Sequence, residues 1–353
     1  MSSLGAQRRA RPASLALLSA AAIAACGSST ITAPSIVTVA QARAGARNYA
    51  IVDARAADQC STTVNSTVET GDLESIDNAG DFSPAVCVAR ATPAPPSQKA
   101  KPATIPDNEL VVPRATTHPA VFFQYADADL GHGEGKQPNI WVMESPRPGA
   151  PWKAAYQVQL SAGSLLTFRR DANGQAPALL QASAPGYQMT PDATCRAAAD
   201  LFDAVYAESP NPPGLEDRSK VTAVEADYRA QDTQTATQWG VASSRAWSCA
   251  GNEIAEQTEA GEALVVFTLR GAYTFVPPPN VSFWLSRTYN GKDVRLVQPG
   301  YYKVVTATEL IILAALVPKG ASTGEPQLIG SYRGVVATTD TPAAGGELSP
   351  GPS

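Results

Sequence analysis

The sequence predicts an α+β protein of two domains, each with N-terminal helices packed on a curved antiparallel sheet. Three observations carry this. At 353 residues the chain is long enough for two cores. Helical periodicity opens each half, and strand signals follow it twice. The strands are separated by turn residues rather than by regularly alternating helices, which argues against a doubly wound parallel sheet.

The chain begins with a basic patch (Arg8, Arg9, Arg11), an apolar run from Ala13 to Ala25, and then Ile23-Ala24-Ala25-Cys26-Gly27-Ser28-Ser29. The apolar run is thirteen residues long, too short to span ~30 Å of hydrocarbon. The order basic, apolar, small is that of an export signal. It resembles a bacterial lipoprotein signal peptide with its lipobox. The resemblance implies cleavage after residue 25 and a lipid on Cys26, so that residues 26–37 become a tether on the extracytoplasmic face of the cell membrane. The segment holds three Arg and no acids, so its removal takes the net charge from −5 to −8. A mildly acidic chain without a Lys/Arg cluster argues against nucleic acid as a partner. The expected partners are the membrane, through the lipid, and an envelope protein or small molecule.

Residues 38–188 form the first expected domain. Thr38-Val39-Ala40-Gln41 is a capping box, in which hydroxyl and amide satisfy orphan donors reciprocally. Val39, Ala42, Ala46, Tyr49 and Val52 then make one apolar stripe, with Gly45 weakening the helix. A short helix is expected near Thr70–Ile76. The Pro-rich stretch 84–106 reads as an extended loop. Strands are expected at 119–125, 139–143, 152–160 and 165–170, with a hairpin turn at Asn173-Gly174.

Residues 189–341 form the second. Thr190-Pro191-Asp192 is a helix start, with a capping hydroxyl, Pro in the first turn and an acid at the positive dipole end. Cys195, Ala198, Phe202 and Val205 give its buried stripe. A further helix is expected over 215–231. Strand signals follow at 241–249, 263–275, 281–288, 294–298, 310–317 and 326–338. Residues 342–353 read as a disordered tail. Helices first and sheet second is the layout of the cystatin-like, nuclear-transport-factor-2-like superfamily, which the pattern resembles.

Thr67-Val68-Glu69-Thr70-Gly71-Asp72-Leu73, Gly149-Ala150-Pro151-Trp152-Lys153 and Gly261–Leu269 together resemble a family of uncharacterised actinobacterial lipoproteins. That resemblance carries no activity, cofactor or catalytic residue to transfer.

Four cysteines besides Cys26 suit an oxidising compartment and two disulfides. Of the three pairings, Cys60–Cys87 and Cys195–Cys249 keep each bridge within one half. Zinc is disfavoured because no C-x-x-C occurs.

Candidate chemistry is sparse. Asp127, Asp129, His132 and Glu134 share a Gly-rich loop and form the densest ligand cluster. The loop lacks the acid that a calcium loop needs at its twelfth position, where Pro138 stands. His118 reads as structural. Gly320-Ala321-Ser322-Thr323-Gly324 matches G-x-S-x-G, but a strand follows where a nucleophile elbow needs a helix. The five tryptophans (Trp141, Trp152, Trp239, Trp247, Trp284) read as core packing, or as the lining of an apolar pocket in a cupped sheet. No catalytic residue, metal site or cofactor is expected. The sequence therefore reads as a non-enzymatic binding or interaction module, with a solute-binding lipoprotein of a transporter or an envelope hydrolase as alternatives.

Overall fold

Thr38 opens the first helix as the capping box requires. Its hydroxyl accepts from the Gln41 amide at 3.2 Å, and the Gln41 side chain accepts from the Thr38 amide at 2.8 Å. The structure is a computed structural model that describes residues 34–82, 87, 110–128, 137–161, 164, 166–285, 288–289, 292–295 and 300–342. The signal segment with Cys26, the tether up to residue 33, all of the Pro-rich loop but Cys87, and the tail from 343 on lie outside them.

Helix α1 (Val39–Gln59) buries Ala42, Ala46 and Tyr49 of the expected stripe, leaves Val39 and Val52 half-buried, buries Gly45 as well, and ends where Cys60 turns left-handed at φ 49°. Gly45 has a reason to be glycine. The Trp152 indole lies against it so closely that a Cβ would come within 2.7 Å of the ring, and the indole meets Phe122 edge-on at 4.8 Å. Helices α2 (Thr62–Asn65) and α3 (Gly71–Ala79) complete this layer.

The strands are β1 (Leu110–Val111), β2 (Ala120–Ala128), β3 (Gln137–Ser145), β4 (Lys153–Leu160), β5 (Glu216–Asp217), β6 (Ala242–Cys249), β7 (Ile254–Gln257), β8 (Ala263–Val276), β9 (Phe283–Leu285), β10 (Thr288–Tyr289), β11 (Lys292–Arg295), β12 (Gly300–Val317) and β13 (Gln327–Pro342). Helices α4 (Pro191–Tyr206) and α5 (Val221–Trp239) precede and follow β5. Thr190 caps α4 by accepting from the Ala193 amide at 3.2 Å. Asp217 starts α5, its carboxylate accepting from the amides of Val221 (3.3 Å) and Thr222 (2.8 Å), and Gly240 ends it at φ 65°. That is why α5 lies later than the expected 215–231.

The mixed helix and antiparallel sheet expected from the sequence is present. The two-domain arrangement is not confirmed. Strands from 38–188 and from 189–341 run through one sheet, in the order β1-β2-β3-β4-β13-β12-β8-β6, with β5, β7 and β9 pairing at its margins. The halves join where β4 pairs with β13, Leu160 opposite Gly330 and Gln159 opposite Ser331. A side chain at Gly330 would collide with the Gln159 carbonyl, so glycine is what lets the two strands meet. The described residues from Ser35 on belong to one compact unit.

Both faces of the central strands are covered. Leu310, Ile312 and Ala314 of β12 join the core that contains Ala42, Tyr49, Leu73 and Ile76 of the first helical layer. Ile311, Leu313 and Ala315 join the core of Cys195, Ala198, Leu201 and Phe202 from α4. This double burial explains the unbroken apolar run Leu310–Val317. The first half of β12, with Tyr302, Val305 and Ala307 inward, alternates with polar residues and was not expected to be strand.

Two other expectations change. Of the expected strand 165–170, residue 165 lies outside the described residues; 166–170 and 178–180 contribute only isolated bridges, Phe168 to Thr258 and Leu180 to Ala255. The turn at Asn173-Gly174 is real, with the Asp171 carboxylate accepting from the amides of Asn173 and Gln175, but it joins no strands. Cys60 and Cys87 stand at disulfide distance, Cα atoms 5.6 Å apart, and so do Cys195 and Cys249 at 5.9 Å. The second pair ties α4 to the end of β6.

Candidate binding clefts and buried charge

The junction of the halves opens a polar cleft of about 530 Å³. Gln159, Leu160 and Ser161 come from the end of β4, and Ser331 comes from β13. Arg218, Ser219 and Lys220 come from the loop before α5, and Gln137 from β3. The parallel pairing of β5 with β13 holds that loop in place, Asp217 opposite Leu328 and the Arg218 amide donating to the Leu328 carbonyl at 3.1 Å. Asp217 also takes the Ser219 hydroxyl at 2.8 Å, so the start of α5 is already satisfied. The side chains of Arg218 and Lys220 are exposed and form no ion pair among the described residues. Lys220 is held at φ 57°, a conformation a bulky residue enters at some cost.

A second cleft, about 480 Å³, has the opposite character. Asp72 at the start of α3, Glu144 on β3 and Glu253 before β7 surround Tyr156, whose hydroxyl donates to the Asn252 carbonyl at 3.1 Å. Burial, then Glu144, Asp72 and Glu253, push the Tyr156 phenol up. Burial also raises the Glu144 carboxyl. Cys195 and Cys249 lie near Glu253, but as a bridged pair they offer no thiolate, so this is no metal centre.

Between α5 and the sheet lies a closed set of charges. Arg245 of β6 meets Glu225 of α5 at 3.0 Å and Glu309 of β12 at 2.7 Å. Arg333 of β13 meets the same two carboxylates at 2.8 and 2.5 Å. All four side chains are at most 6% exposed. The Arg245 guanidinium sits 3.7 Å from the Tyr273 ring centre and 4.7 Å from that of Trp247, and the Tyr273 hydroxyl donates to Glu309 at 2.6 Å. Two cations and two anions cancel, and their burial leaves them out of reach of a ligand. Glu256 of β7 is buried as well, its carboxyl pushed up to about 8 by burial, and it lines neither cleft.

Of the residues singled out in the sequence, Cys26, Asp129, His132 and Glu134 lie outside the described residues. Asp127 stands near the end of β2 opposite Pro138. The His118 ring places Nδ1 3.0 Å from the Ser145 carbonyl oxygen. Ser322 is a turn residue between β12 and β13, its amide donating to Lys319 and its carbonyl accepting from Gln188. Trp141 and Trp247 are core residues, and neither they nor Trp152 or Trp239 line either cleft. Sequence reasoning missed Arg218, Lys220 and the buried charges. A signal existed for some of them. Glu225 falls on the helical face of Val221, Val224 and Tyr228, and Arg245 sits in a strand two residues before Trp247.

A family model described as a domain of unknown function (DUF8094) matches residues 33–340. No curated protein and no solved structure matches the chain.

Proposed function

The chain belongs to the DUF8094 family, and on that premise we propose that it is a non-enzymatic binding module held by a lipid on Cys26 at the extracytoplasmic face of a bacterial cell membrane. Ile23-Ala24-Ala25-Cys26 behind a short apolar run supports the anchor, as does cysteine pairing of the kind an oxidising compartment allows. The observation that carries the binding reading is the polar cleft, with two cations that form no ion pair among the described residues, set among serine and glutamine side chains. Arg218 and Lys220 favour an anion, and Ser161, Ser219, Ser331, Gln137 and Gln159 favour one bearing further hydrogen-bonding groups. The ligand is a small polar anion, which is the solute-binding form of the reading rather than a protein partner. The opposite charge of the second cleft keeps such an anion away from it.

The test expresses the full chain with its own signal. Wild type partitions with membranes and Cys26→Ala does not. Wild type extracted in detergent is then titrated calorimetrically with inorganic phosphate and with succinate. Charge-assisted hydrogen bonds contribute about 1.5–3 kcal/mol each, so Arg218→Gln/Lys220→Gln weakens binding by at least ~100-fold. Heat that is the same for the double variant, or absent for wild type, contradicts the cleft. Equal membrane partitioning of Cys26→Ala contradicts the anchor.

A further inference from the structure

Five elements of the fold converge on two carboxyl groups that form no ion pair among the described residues. Glu69 lies between α2 and α3 and is fully buried, and Asp77 on α3 is nearly so. The Tyr49 hydroxyl of α1 donates to Glu69 at 3.3 Å, and the Asn65 side-chain amide of α2 donates to it at 2.5 Å. The Tyr332 hydroxyl of β13 donates to Asp77 at 2.6 Å. The backbone at Glu69 bridges to Ala154 of β4. The two carboxyls are near enough to act on each other electrostatically.

Two neighbouring carboxyls buried without a cation resist ionising together, so one of them keeps its proton. Around the buried tetrad each carboxylate faces two guanidiniums. Here no Arg, Lys or His forms an ion pair with either carboxyl among the described residues. Lys153 of β4 turns its ammonium to the Ser66 carbonyl at 2.6 Å. The charged groups that do face the pair are Asp53 of α1 and Asp81 just after α3, both negative. Tyr49 and Tyr332 are further titratable neighbours among the described residues, and burial holds both phenols neutral.

We propose that Glu69 and Asp77 are a proton-linked clasp that fastens the α1–α3 layer to β4 and β13, so that this layer loosens as the medium turns alkaline. Burial, and then neighbouring negative charge, raises both carboxyls above their ordinary range. The sign follows from linkage. A carboxyl raised in the folded state binds its proton more tightly folded than unfolded. Its stabilisation is full below the ordinary carboxylate range and is lost as pH rises through the raised value. Proton loss leaves adjacent buried anions with no counter-charge, and α1, α2 and α3 lose the point that joins them to the sheet.

The experiment is amide hydrogen exchange of the full chain between pH 6 and pH 9, corrected for the base-catalysed intrinsic rate. Protection in residues 39–79 falls more than tenfold across that range while β12 residues 310–316 keep theirs, and Glu69→Gln makes the fall smaller, since only Asp77 is then left to lose a proton. Parallel changes in both segments, or a wild-type fall in Glu69→Gln, overturn the proposal. Should Glu69→Gln fail to fold, Tyr332→Phe serves instead. It removes a donor that favours the Asp77 anion, so the midpoint of the fall moves to higher pH. A midpoint that stays in place overturns the proposal equally.

Discussion

Glu309→Leu destabilises the protein by about 3–5 kcal/mol, because it leaves two buried guanidiniums facing one carboxylate. Arg245 and Arg333 both contact Glu309 now, at 2.7 and 2.5 Å, and neither can reach water without moving α5 or the strands. The Tyr273 hydroxyl loses its acceptor in the same step. Urea unfolding reads the change as a lower midpoint, and added salt up to 0.5 M does not restore it, since buried charges are poorly screened. Replacing all four charges together, as Glu225→Met/Arg245→Leu/Arg333→Met/Glu309→Leu, costs less than the single change, because apolar groups of similar size need no partners. A single variant within ~1 kcal/mol of wild type would mean that the four charges do not hold α5 to the sheet.

Cys195→Ala/Cys249→Ala gives the second large effect. The bridge closes a separation of 54 residues, for which chain entropy gives about 4 kcal/mol. It also fixes the first buried turn of α4 against the end of β6, where Cys195 has no exposed surface. The double variant therefore melts well below wild type in the absence of reductant, and reductant, which opens both bridges, lowers wild type further than the double variant. The Cys60–Cys87 pair, 27 residues apart, contributes about 3.5 kcal/mol on the same model, so a variant of that pair is affected slightly less. Wild-type melting unchanged by reductant would show that Cys195 and Cys249 are not joined.

Local signals in the sequence were legible where one short segment decides its own structure. Thr38 and Gln41 form their capping box from four residues, and Thr190-Pro191 starts α4 for the same reason. The stripe Ala42, Ala46, Tyr49 needed only helical periodicity. What could not be read is decided by partners far away in sequence. Leu310–Val317 announced a buried strand, yet not that helical layers from both halves cover its two faces. Gly330 gave no hint that it lets β13 meet β4. The symmetry of helices then strands suggested two domains, and β4–β13 pairing instead joins them in one sheet. Buried charges were invisible for a related reason. Glu225, Arg245, Glu309 and Arg333 are spread over more than a hundred residues, and only the sheet brings them within ion-pair distance. The cleft around Arg218 and Lys220 likewise exists only once β5 lies beside β13.

The account rests on both halves building one body, and equilibrium unfolding of the chain from Cys26 tests that most directly. Tryptophan fluorescence reports on Trp141 and Trp152 in the first half and on Trp239, Trp247 and Trp284 in the second, and single-tryptophan variants separate the two. The account predicts coincident transitions for both reporters, with one midpoint in urea that also matches far-ultraviolet circular dichroism. Residues 38–188 expressed alone then lack a cooperative transition, because β4 has lost β13 and the α1–α3 layer has lost Leu310, Ile312 and Ala314. Two separated midpoints, together with a cooperative transition in the isolated 38–188 fragment, would contradict it.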